Sequence, residues 1–372
     1  NRIGKETRNI VMVNYSNDFS IENLEVIRRY QSNEDNVFFA YSEFSYNTLV
    51  GAYEPFLDII CNMHRRFIGG SFDDFQKECG VYYLHRQVLN SYYETGECFR
   101  EETVLLNEVA YEQRRMTMAI ADMLKKLSEV KPLMIVINRF QMASKSSIET
   151  IKYLIDNPCA NIGMVLGVNA IVKGTDSTVE VWDRIVESLE DRSAIYYIGS
   201  AGPLKNNVKT TNDDELYITM NFEQSIQEAS NIMEFLDFEQ ARRGCRIIEH
   251  KLKFEDAWID EKSLRRFYMV YARTSVLLGE MSKAIELTNE YKALIPENDS
   301  EHYLSLYYFM KGTCYMYQGK LEKAGNSAKS AYDYAVLAED DTLIFKAELL
   351  SVMIKMSGWY NIFFCVQDIP VS

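Results

Sequence analysis

Along the first half of this chain, short β-branched apolar runs alternate with longer stripes of helical period. Strand-type runs stand at 9–13, 36–41, 133–137, 162–168 and 194–198, and helical patterning covers about 20–31, 52–67, 101–129, 146–156 and 177–190. The run Leu133-Met134-Ile135-Val136-Ile137 has no polar alternation, the mark of a strand covered on both faces. Between Glu101 and Glu129, the residues Leu105, Val109, Met116, Ile120, Met123 and Leu127 recur close to the helical repeat, which predicts a helix packed on a sheet. Alternation of this kind predicts an α/β fold with a mostly parallel sheet flanked by helices.

The pattern changes after residue 200. Gly199, Gly202, Pro203, Asn206, Asn207 and Asp213-Asp214 form a loop without apolar period, followed by one short run, Leu216 to Met220. A domain boundary is expected just beyond it, near 225, giving one domain over 1–225 and a second over 226–372. The second is helical and repetitive. Ala272 to Ala284 aligns with Gly312 to Ala324 at a spacing of 40 residues, which superposes Ala272 on Gly312, Gly279 on Gly319 and Ala284 on Ala324. Small side chains are needed where the two helices of a tetratricopeptide-like unit cross closely, so these six positions are the expected packing residues, with Pro296 closing the first unit and Ala331 completing the second. Leu236 to Ala241 reads as a degenerate unit whose alanine tolerates bulk better, and Ser357-Gly358-Trp359-Tyr360 as the start of another, broken off before its end as in a fragment. Such units stack into a curved array with a concave binding surface. The tyrosines of this region, Tyr303 to Tyr334, read first as interhelix packing with hydroxyls at the rim.

Composition narrows the chemistry. A net charge of −14 repels a phosphate backbone, and the arginine pairs at 28–29, 65–66, 114–115, 242–243 and 265–266 are dispersed as solvated helix faces, so no direct nucleic-acid contact is expected. Seven cysteines without C-x-x-C spacing predict reduced, mostly buried thiols, and no metal site. His64, His85, His250 and His302 lie far apart, with His64 read as a surface helix residue beside Arg65-Arg66. No apolar run approaches a membrane span and no signal peptide opens the chain, which predicts a cytoplasmic protein.

The strand at 133–137 ends where a P-loop ATPase places an aspartate for Mg²⁺, and here that position is Asn138 followed by Arg139. Phe140 to Glu149 continues with Gln141, Ala143, Ser147, Ile148 and Glu149 in a pattern that resembles the Walker B region of the STAND class of signalling ATPases, a branch of the AAA-like P-loop proteins. Tyr53-Glu54-Pro55-Phe56 after the strand at 36–41 is similar to the same class, and Ile3-Gly4-Lys5-Glu6 to its short leading segment. The departures fall on the functional positions. Asn138 and Arg139 replace paired acids, Ser144 replaces a later aspartate, and Asn169 stands where a γ-phosphate sensor is usual. Upstream, a strand and a helix flank the loop Asn14 to Ser20, but the loop holds no glycine and no lysine to cradle a phosphate. Asn14, Asn17, Ser20, Asn138, Arg139, Ser144 and Asn169 are therefore the degenerate nucleotide-site positions.

The resemblance implies a P-loop NTPase-like sheet followed by an all-α tetratricopeptide-like array, in a class where nucleotide state governs oligomerisation and repeats carry the sensor. The expected function is a pseudo-ATPase regulator or scaffold, in signalling or transcription regulation, that binds a partner protein or inducer through its repeats. No catalytic residue and no cofactor are expected, and self-association is left open. The alternatives are a switch that holds ATP or ADP without turnover, within a larger transcriptional regulator, and an activator or chaperone subunit of an enzyme.

Overall fold

The computed structural model describes residues 9–15, 21, 24–25, 36–45, 49–98, 108–169, 176–199, 221–254, 259–298 and 300–367. The chain divides between Lys251 and Leu252 into two compact units. The sequence pattern places its boundary near 225, at the start of a helix that belongs with the first unit.

In the first unit, five parallel strands, β1 (Ile10–Tyr15), β2 (Phe38–Glu43), β3 (Leu133–Asn138), β4 (Ile162–Val168) and β5 (Ile195–Ile198), pair in the order β2-β3-β4-β1-β5. All five expected strands are present. The register sets Ile10 beside Met164, Met12 beside Ile195, Ile135 beside both Ala40 and Met164, and Leu133 beside Ile162. Every residue of β3 is buried, as its unbroken apolar run requires of a central strand, whereas the edge strands β2 and β5 are mostly half-exposed. Alternation along the strands gathers Val13, Tyr15, Met134, Val136 and Val165 on one face, packed with Ile21.

Among the described residues the α-helices of this unit are α1 (Phe56–Met63), α2 (Phe72–Glu78), α3 (Tyr83–Thr95), α4 (Val109–Val130), α5 (Lys145–Asp156), α6 (Asp176–Asp191) and α7 (Phe222–Glu234), with α8 (Phe238–Phe254) running across the division. The sequence pattern left α2 and α3 unassigned. Their signals are short-range: Ser71 caps α2 by accepting from the Asp74 amide at 3.2 Å, and Gly96 ends α3 with φ +75°. α1 passes into a π-helical turn, His64–Ile68, and α2 and α3 enclose His64 completely. His64 is therefore not a surface residue. Its ring lies among Phe72, Phe75 and Tyr93, and burial holds its pKa below the usual imidazole value. The arginines also depart from plain solvated faces. Arg65 stacks on Tyr93 and Arg115 lies between Tyr82 and Tyr111, so their planar cations cover aromatic surface.

The second unit is an all-α array of α9 (Glu261–Leu277), α10 (Met281–Ala293), α11 (Ser300–Tyr317), α12 (Leu321–Leu337) and α13 (Asp341–Gln367). Helix α9 packs on α10, α11 on α12, α12 on α13 and α11 on α13. The paired helices meet at the small residues. Ala272, Ala284 and Ala324 are at most 1% exposed, and a Cβ on Gly312 would stand 3.0 Å from Leu350 and 3.3 Å from Ser327. Gly279 and Gly319 occupy the interhelix turns with φ +78° and +72°, and each turn closes with a backbone bond reaching back five residues, Glu280 to Ser275 at 2.8 Å and Lys320 to Tyr315 at 2.9 Å. The turn before α13 has the same bond, Asp340 to Ala335 at 3.2 Å, with Glu339 at φ +52° in place of glycine. Helix α13 continues unbroken through Ser357 to Tyr360, so those residues do not open a new unit.

Among the described residues no helix is long and apolar enough to cross a membrane. Cys61, Cys98, Cys245 and Cys314 are buried and Cys79 and Cys159 half-buried, all six free, and burial pushes the Cys61 and Cys314 thiols up to about 12.

Replacing Ala284 or Ala324 with leucine is expected to overpack a helix crossing and cost about 1–3 kcal/mol, read as a lowered thermal midpoint. Ala241, fully buried on α8, is expected to be no more tolerant, contrary to its poor fit to the repeat pattern. Parent-like melting of both Ala284→Leu and Ala324→Leu would place the crossings elsewhere.

Candidate functional site

Ligands of parallel α/β sheets bind outside the carboxyl ends of the strands, where the loops leave room. At those ends the expected position Asn138, on β3, meets Tyr15 from β1 and Gly167 from β4, neither of which the sequence singled out. The period of two puts Tyr15, Asn138 and Gly167 on one face, and a Cβ on Gly167 would lie 3.1 Å from Asn138 Oδ1, 3.3 Å from the Tyr15 ring and 2.5 Å from Ile21. Only glycine leaves that space free.

Asn138, 8% exposed, is held by several donors and acceptors at once. Its Oδ1 accepts from the Tyr15 hydroxyl and, at 3.0 Å, from the Arg139 amide; its Nδ2 donates to the Tyr41 hydroxyl at 3.2 Å. Tyr41 in turn donates to Glu43 Oε2 at 3.2 Å, and Arg139 Nη2 pairs with Glu43 Oε1 at 2.9 Å. The ring of contacts closes on itself, running from Asn138 through Tyr41, Glu43 and Arg139 back to Asn138. Arg139 has φ +54°, a conformation that turns its guanidinium onto Glu43 at the end of the adjacent strand β2.

The other expected positions have distinct surroundings. Asn169 Oδ1 accepts from Gln141 Nε2 at 2.7 Å, just past the end of β4. Ser144 is a helix cap: its Oγ accepts from the Ser147 amide and lies 3.0 Å from Ser146 Oγ and 2.9 Å from Ser147 Oγ. Asn14 is buried within β1, while Asn17 and Ser20 lie outside the described residues.

Beside the Glu43 end of this ring opens a cleft of about 440 Å³, lined by Glu43, Glu54, Asp58, Tyr92, Glu228 and Phe235 among others. Burial, followed by Glu54 and Asp58, pushes Glu228 up to about 7. Burial also raises Glu54, against the lowering effect of the Gly51 amide, which donates to its Oε2 at 2.9 Å. Tyr92 donates to Asp58 Oδ1 at 3.2 Å. Sequence reasoning missed this cluster. Its acids come from a helix start and from α7, far apart in the chain, and no local motif links them.

Next to the cleft, the segment Leu49–Tyr53 is tied down by polar contacts. Tyr53 N donates to Ser146 Oγ at 3.0 Å, Gln240 Nε2 to Val50 O at 3.0 Å and Ser147 Oγ to Glu54 O at 2.7 Å. Asp237, buried, accepts from the Ser146 amide at 3.1 Å, and burial lifts its pKa against the lowering effect of its hydrogen bonds to Ser146 and Gln240. Among the described residues no group of three or more His, Cys, Asp or Glu side chains is arranged to hold a metal ion.

No family model, no curated protein and no solved structure matches this chain.

Tyr15→Phe removes one donor to Asn138 while the Arg139 amide still satisfies the acceptor. The expected loss is about 1 kcal/mol in chemical denaturation, with an unchanged m-value. A loss near zero would mean that the Tyr15 hydroxyl finds an equal partner in water.

Proposed function

We propose that this chain is a non-hydrolysing regulatory or scaffolding protein, in which a degenerate STAND-like α/β module carries a tetratricopeptide-like array that binds a partner protein. The observation that carries this reading is the closed contact ring around Asn138. At the end of β3, where a P-loop ATPase needs a free carboxylate for Mg²⁺, this chain has a neutral amide whose oxygen and nitrogen are both engaged. The cation beside it, Arg139, is paired with Glu43 and adds positive charge where a metal would have to sit. The loop after β1 has neither the glycines nor the lysine that wrap and neutralise phosphates.

The array supports the second half of the proposal. Its starts recur at Glu261, Ser300 and Asp341 and at Met281 and Leu321, close to the 40-residue spacing of the sequence. Helix pairs with small residues at the crossings and glycine at the turns are the construction by which repeat proteins present an extended binding surface. Rings flank that construction: Tyr308 stacks on Tyr334 with centroids 5.6 Å apart, and Lys311 donates to the buried Tyr307 hydroxyl at 2.8 Å.

The test is ATP turnover by the purified chain with magnesium. No hydrolysis above background is expected, and Asn138→Asp alone is expected not to create it, since the phosphate cradle is still missing. Magnesium-dependent turnover by the parent chain, abolished by changing Asn138, would overturn the proposal.

A further inference from the structure

The acids of the cleft meet at one backbone position. A Cβ built on Gly51 would stand 2.9 Å from Glu228 Oε1 and 3.4 Å from Glu54 Oε2, so the two carboxyls approach the same glycine from α7 and from the start of α1. Asp58, one turn beyond Glu54, faces the same space. Among the described residues no cation pairs with Glu54, Asp58 or Glu228. Glu43, which also lines the cleft, pairs with Arg139 at 2.9 Å. The remaining titratable neighbours are Tyr92 from α3, which donates to Asp58, and Cys61 from α1, its thiol pushed up to about 12. Two half-buried carboxylates with no counter-ion among the described residues repel each other, and protonation of one of them removes the repulsion.

We propose that Glu54 and Glu228 form a proton-operated latch between the segment Leu49–Tyr53 and α7, closed while the pair holds one proton and released when both carboxyls are ionised. The segment it controls is the one tied to Ser146 through Tyr53 and to Gln240 through Val50, so release loosens the contacts of that segment with α5 and α8. The direction follows from the raised carboxyl pKa values. Ionisation is easier in the open state, so the closed state is fully favoured below the ordinary carboxyl value of 4.5 and loses that advantage as pH rises through about 7. The latch is independent of what the helical array binds.

Amide hydrogen exchange of Gly51 to Tyr53 tests it, compared at about pH 6 and about pH 8 after correction for the intrinsic rate. In the parent chain, protection of these amides is expected to fall on the order of tenfold at the higher pH. Glu228→Gln is expected to keep its protection at both, because an amide cannot ionise. The amides of Val109–Val130 report that the variant is folded. If Glu228→Gln loses that core protection, Glu54→Gln serves instead, with the same expected outcome. An equal fall in parent and variant, or no fall in the parent, would overturn the proposal.

Discussion

The buried strand β3 is the constraint on which the first unit depends. All six of its residues lie away from water between β2 and β4, so every backbone group must pair within the sheet and any polar side chain at its end must find a partner. Asn138 is such a side chain. Its contacts to Tyr15, Arg139 and Tyr41 satisfy an amide that would otherwise be stranded at the end of a dry strand, and they join the ends of three strands. The feature that makes the site unlike an ATPase is thus also what completes the sheet.

The sheet was largely legible from the chain because its signals are local. Each of the five β-branched runs became a strand, and the alternation with helices implied parallel pairing, but the strand order is a property of long-range contacts that no run reports. The helical array was legible for a related reason: Ala284 and Ala324 have to be small wherever two helices cross closely, and Gly279 and Gly319 mark turns that need positive φ.

What escaped the sequence depends on convergence. His64 follows Asn62-Met63 and precedes two arginines, a local setting typical of a surface, and only the fold of α2 and α3 over it makes it a core residue. Asp237 looks like an ordinary turn acid, yet it is buried against the Ser146 amide, 91 positions away. Glu54 and Glu228 are further apart still. At the strand ends, Asn138 and Arg139 could be identified as the decisive positions, but Tyr41 and Glu43, which complete the ring, carry no signal beyond belonging to β2.

Gly167 couples the residues of the strand ends as well as giving them room. Its missing side chain is the space into which Tyr15, Ile21 and Asn138 fit, and none of these neighbours can grow or retreat without exposing a void or meeting the glycine's backbone. Positions 15, 21, 138 and 167 are thereby interlocked, and the effects of substitutions among them are expected not to add. The strand ends thus answer to substitution as one packed unit rather than as separate positions.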